Sequence, residues 1–119
     1  MDTRTKIISN DAARGVAGAF IVSGYFDPVI SVHAERLQGL KEAGRPLLVL
    51  IATPADAILP AEARAQLIAA LECVDYVTVI GAVYPDGLNP HTQLEAEHVE
   101  QLAQLIRHVQ TRQQAAQQK

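Results

Sequence analysis

Three apolar runs constrain the fold of this chain more than any other feature. Val16–Val22, Pro46–Ala52 and Tyr76–Ile80 are almost entirely apolar and do not alternate with polar residues. A strand buried on both faces has this pattern, whereas a strand with one solvated face alternates. The runs therefore predict three buried strands.

Helical segments separate these strands. Ser31–Ala43 carries apolar residues at helical spacing with Ser31 as the N-cap, and Pro60–Cys73 has Pro60 at its first helical position. Strands and helices that alternate in this way form a parallel sheet with right-handed crossovers. The predicted fold is a three-layer α/β domain, Rossmann-like, with a short parallel sheet.

The edges of the sheet and the C-terminal region are less constrained. A fourth strand could come from Ile7–Ser9, or an edge strand could pair with a second subunit. Thr92–Glu95 fits a capping box that opens a long helix. We expect one domain over residues 1–110 and a polar, Gln-rich tail over residues 111–119, as a fraying helix end or disorder. The apolar stripe of the long helix consists of Leu94, Val99, Leu102, Leu105, Ile106 and Val109.

Composition excludes several classes of protein. The formal charge is −3 and no basic face is evident, so nucleic acid is not an expected partner. The single cysteine, Cys73, excludes an internal disulfide and a cysteine-based zinc cluster, and His91, His98 and His108 are too scattered to predict a metal site. No signal peptide and no membrane-spanning run is recognisable, so the expected location is the cytoplasm, without membrane partners.

The loop Ser23–Pro28 follows the first predicted strand and is the expected ligand site. Open parallel sheets bind ligands outside the carboxyl ends of their strands. Gly24 relaxes the backbone, and the helix that begins near Ser31 offers unpaired N–H groups and a positive dipole end. We expect any anion to bind there, weakly, with His33 as a further donor.

The residues from Gly24 to His33 also carry a family resemblance. Gly-Tyr-Phe-Asp-Pro-Val-Ile-Ser-Val-His is similar to the G-x-F-D-x-x-H-x-G-H signature of the cytidylyltransferase-like nucleotidyltransferases. The most similar patterns are those of the adenylyltransferase domain of ADP-heptose synthase and of glycerol-3-phosphate cytidylyltransferase. Lys6–Ser9 and Pro60–Val77 resemble segments of the same family, so the resemblance covers about residues 6 to 80.

The resemblance implies a nucleotidyltransferase. Such an enzyme joins a nucleoside triphosphate, with magnesium, to a phosphorylated sugar or polyol and releases pyrophosphate. His33 would be the catalytic residue. The residues that would bind the nucleotide are Gly24, Tyr25, Phe26, Asp27, His33 and Arg64.

Departures from the signature weaken the catalytic interpretation. Ile30 stands where the family has its first histidine, and Val32 stands where it has glycine. The loop Thr53–Leu59 lacks the lysine that relatives use to contact phosphate, and the later phosphate-binding motif is missing. Each lost donor typically costs about a hundred- to a thousand-fold in rate. The sequence therefore predicts a degenerate, non-catalytic domain.

That domain would keep a cleft for a nucleotide or phosphorylated small molecule, or would serve in an interaction. An active cytidylyl- or adenylyltransferase and a ligand-free assembly module are the alternatives. A homo-oligomer is expected, because three strands leave sheet edges exposed and the stripe of the last helix could form a dimer seam.

Individual site residues have two interpretations each. His33 is either a phosphate ligand or a helix N-terminal histidine that hydrogen-bonds to the loop. Asp27 either contacts ligand or braces its turn, and Arg64 either points into the cleft or is solvated on its helix. For Asp75 we expect a connecting role, and for Cys73 a place in the core.

Overall fold

A computed structural model describes residues 2–27, 29 and 31–117. Pro28 of the expected ligand loop, Ile30 at the altered histidine position and the last two residues of the tail lie outside them. The sheet has four parallel strands in the order β3-β2-β1-β4. They are β1 (Phe20–Gly24), β2 (Leu47–Ile51), β3 (Tyr76–Val79) and β4 (Thr92–Gln93). The helices are α1 (Asn10–Arg14), α2 (Ser31–Leu40), α3 (Ala61–Ala69) and α4 (Glu95–Gln117).

This architecture confirms the prediction of a Rossmann-like α/β fold. All five residues of β2 are buried, which is why that strand shows no alternation. The first strand is shorter than expected: it begins at Phe20 and not at Val16. The segment before it turns instead, since the Val16 N–H donates to the Ala13 carbonyl and Gly18 has a φ of 68°.

The fourth strand comes from a part of the chain that the sequence assigned to a helix. Ile7 forms only an isolated bridge with Val77, whereas Thr92–Gln93 pairs with Val22 and Ser23 of β1. The expected capping box at Thr92 is therefore wrong. The Leu94 N–H donates to the Ser23 carbonyl at 2.8 Å, so the backbone here extends the sheet, and α4 begins at Glu95.

The core is aliphatic and lies on both faces of the sheet. On one face, α2 and α3 pack against side chains of β1, β2 and β3, and on the other face α1 and the chain around Leu88 cover the sheet. Both α2 and α3 lie on one face because the crossovers β1–α2–β2 and β2–α3–β3 run in the same direction. The second face is thinly covered.

The C-terminal helix projects from this body. It has 23 residues, which corresponds to about 34 Å at 1.5 Å per residue, and the molecule measures 58 × 29 × 25 Å. Only its first turns pack on the sheet. The helix continues through Gln117, so the described part of the Gln-rich tail is helical. Among the described residues, no helix is long and apolar enough to cross a membrane.

Candidate functional site

The loop after β1 does contain a cluster of polar and aromatic side chains, and α4 contributes part of it. Phe26 is buried with a φ of 50°, a conformation that is uncommon for an aromatic residue. Its ring packs edge-on against His33, at 5.5 Å between ring centroids, and at a tilt against His98, at 4.4 Å. The surrounding packing holds the loop in this unusual shape.

His98 accepts hydrogen bonds from two backbone N–H groups of this loop. Its Nδ1 accepts a hydrogen bond from the Tyr25 N–H at 3.0 Å and another from the Phe26 N–H at 3.2 Å. An imidazole nitrogen that accepts two hydrogen bonds carries no proton, so the neutral ring has its proton on Nε2. Burial, and secondarily the neighbouring His33, lower the pKa of His98 to about 3.

Gly24 provides the space for this imidazole. A methyl group at Gly24 would lie only 2.8 Å from both the Nδ1 of His98 and the Cε2 of Phe26. Glycine at this position therefore allows close approach of α4 to the loop. The sequence predicted that an anion would come close to the backbone at Gly24. In the structure the side chain of His98 does so instead.

His33 faces α4 as well. Its Nε2 lies 2.9 Å from the Oε1 of Gln101, and its ring centroid lies 4.2 Å from that of His98. Burial lowers the pKa of His33, against the opposing effects of Gln101 and Glu97. The hydrogen bond to α4 is one that neither interpretation from the sequence included.

Asp27 links two loops. Its carboxylate oxygens accept hydrogen bonds from the Ile58 N–H at 2.6 Å and the Leu59 N–H at 2.8 Å. These donors belong to the segment after β2, so Asp27 braces the neighbouring loop. Two hydrogen bonds from backbone N–H groups to one carboxylate hold the two loops in a fixed relative position.

Arg64 is not solvated on its helix. It is completely buried, and its Nε donates to the Leu59 carbonyl at 3.0 Å. Its Nη1 donates to the carbonyls of Tyr25 at 2.8 Å and Ala52 at 2.6 Å, and its Nη2 donates to Thr53 Oγ1 at 3.2 Å. The interpretation of Arg64 as a solvated helix residue is therefore wrong: the guanidinium joins the loops after β1 and β2.

A pocket of about 160 Å³ remains at the carboxyl edge of the sheet. Tyr25, Thr53, Tyr84 and Glu95 line it, together with Ala52 and residues 80–83. Among the residues that line this pocket, Glu95 carries the formal charge and no lysine or arginine occurs. The pocket therefore suits an uncharged or cationic group better than a phosphate.

The carboxylate of Glu95 is fixed in place. The buried Ser23 hydroxyl donates to its Oε1 at 2.6 Å, and the Tyr84 hydroxyl donates to its Oε2. Burial and the hydrogen bond to the Glu95 carboxylate raise the pKa of Tyr84. These contacts join the end of β1, the loop after β3 and the start of α4.

Other residues considered from the sequence lie away from this edge. Asp75 accepts hydrogen bonds from Lys41 Nζ at 2.6 Å and from the Leu47 N–H at 2.7 Å, which is a connecting role. Cys73 lines an open groove of about 490 Å³ beside α2, and burial raises the pKa of its thiol. Within the described part of the chain, no three metal-ligating side chains come together.

Comparison with models of known protein families finds no match, and comparison with curated protein sequences finds no relative.

Proposed function

We propose that this chain is a non-catalytic nucleotidyltransferase-like domain whose phosphate-binding loop is closed by its own C-terminal helix. The observation that carries the proposal is the pair of hydrogen bonds from the Tyr25 and Phe26 N–H groups to His98 Nδ1. In the implied family, a triphosphate lies beside the signature loop. Here an imidazole is the partner of two donors in that loop.

Two side-chain donors of the site are also engaged by protein. His33 is hydrogen-bonded to Gln101, and the guanidinium of Arg64 donates to three carbonyls and a hydroxyl. Nucleotidyl transfer depends on preorganised donors that stabilise the charge developing on the phosphates. With these donors committed elsewhere, the site lacks the electrostatics that the reaction requires.

The pocket at the carboxyl edge supports a residual binding role. Glu95 gives it negative charge, and Tyr25 and Tyr84 provide aromatic surface for a ring or a cation. A nucleoside or another compact group without phosphate fits this chemistry better than a nucleotide does. The domain would then bind a small molecule without transforming it.

We expect no pyrophosphate release when the purified protein is incubated with CTP or ATP, magnesium, and glycerol phosphate or heptose phosphate. The reason is the loss of phosphate donors described above. Pyrophosphate is measured by a coupled colorimetric assay with an active nucleotidyltransferase as positive control. Turnover of about 1 per second or faster, which is ordinary for enzymes, would show that the site is catalytic.

Thermal unfolding with the same compounds separates binding from catalysis. Cytidine and adenosine should raise the unfolding temperature at least as much as CTP and ATP, because Glu95 repels the phosphates. If only the triphosphates raised the unfolding temperature, a phosphate site would be the better interpretation. If none of the four compounds raised it, a ligand-free assembly module would be favoured.

A further inference from the structure

Part of the apolar stripe predicted on the long helix remains exposed in the monomer, whereas Leu94 of that stripe is buried in the core. Val99, Leu102, Ile106 and Val109 follow one another at intervals of three and four residues, the spacing of a helix-pairing seam. Val99, Ile106 and Val109 are 57%, 47% and 46% exposed. The face of α4 that packs on the body carries His98 and Gln101 and lies roughly a quarter turn away. The stripe is thus additional to the contacts that hold α4 in place.

Charges along α4 are segregated by sign. Glu95, Glu97 and Glu100 lie in the first part of the helix, whereas Arg107 and Arg112 lie in the second. Two copies of the helix in antiparallel orientation would place each acidic half beside the other copy's basic half. A parallel pair would place like charges together, which is unfavourable. The dipoles of the two helices also favour the antiparallel arrangement.

We infer that α4 pairs with α4 of a second copy of this chain, antiparallel, along the stripe from Val99 to Val109. The pair centres near Gln104, so that Val99 faces Val109 of the other copy and Leu102 faces Ile106. Glu100 and Arg107 lie on the side of α4 that faces away from this seam. In the monomer these two residues form an ion pair with each other at 3.4 Å. This inference is independent of the proposed function.

The mass in solution tests the pairing. At tens of micromolar, analytical ultracentrifugation of the full chain should give twice the monomer mass of 12.8 kDa. The double variant Ile106→Glu/Val109→Glu should sediment as a monomer under the same conditions. The control Ile58→Glu/Leu67→Glu, which changes two exposed apolar residues outside the stripe, should remain a dimer. Circular dichroism checks that each variant is folded.

Cross-linking tests the orientation. In a Cys73→Ser background, Val99→Cys and Val109→Cys proteins are oxidised separately and as a mixture. An antiparallel pair gives a disulfide only in the mixture, between the two different chains. A monomeric wild type, a dimer that survives the Ile106→Glu/Val109→Glu change, or efficient self-cross-linking of Val99→Cys would each overturn the inference.

Discussion

Replacing Arg64 with methionine is expected to lower the free energy of unfolding by about 3 kcal/mol. Methionine fills much of the volume but donates no hydrogen bond. The carbonyls of Tyr25, Ala52 and Leu59 would then lose their guanidinium donors. Burial of carbonyl oxygens without a partner is the main cost. Urea denaturation followed by circular dichroism measures the change.

Arg107→Met is the matched control for this experiment. Arg107 is exposed on α4, and its ion pair with Glu100 is a surface contact. Such pairs contribute between zero and about 1 kcal/mol. If Arg64→Met were as mild as Arg107→Met, Arg64 would not hold the loops together, and a solvated or ligand-facing arginine would become the better interpretation.

Acid is expected to destabilise the fold from about pH 6.5 downward because of the two buried imidazoles. The pKa of His98 is about 3 in the folded protein and about 6.5 in an unfolded chain. Between these values the unfolded state binds more protons, so stability is lost as the pH falls. For His98 alone the loss between pH 7 and pH 5 is roughly 2 kcal/mol. His33 acts in the same direction, since its pKa is also lowered.

The variant His98→Asn isolates this effect. Asparagine offers an amide oxygen near the position of Nδ1, so it can still accept from the Tyr25 and Phe26 N–H groups, but it does not titrate. The difference in unfolding free energy between pH 7 and pH 5 should be smaller in His98→Asn than in the wild type by roughly 2 kcal/mol. Equal pH dependence of the two proteins would mean that His98 is not buried as a neutral acceptor.

The central part of the fold could be predicted from the sequence because its signal is local. The non-alternating runs correspond to β1, β2 and β3, and Ser31 does begin a helix. The strand β4 could not be found in this way. It has two residues, and its pairing with Val22 and Ser23 is a contact across about seventy positions of sequence that leaves no periodic pattern.

The position of the loop residues could be predicted from the sequence, but their contacts could not. Gly24, Phe26, Asp27 and His33 do lie at the carboxyl edge, as the loop pattern indicated. His98 was missed because a single histidine in an amphipathic helix gives no sign of a partner in a distant loop. The roles of Asp27 and Arg64 were also hidden, since their partners are backbone groups of other loops, which no side-chain pattern in the sequence specifies.

The proposed role of His98 is to close the loop after β1 against phosphate. Titration of ¹⁵N-labelled protein with inorganic phosphate, followed by amide chemical shifts, tests it most directly. The wild type and His98→Asn should show at most weak binding, whereas His98→Ala frees the Tyr25 and Phe26 N–H groups and should bind at least ten times more tightly, with the largest shifts at those two amides. Thermal unfolding first checks that His98→Ala is folded. Equal binding by the wild type and His98→Ala, or largest shifts in residues 81–89 in both proteins, would contradict the claim.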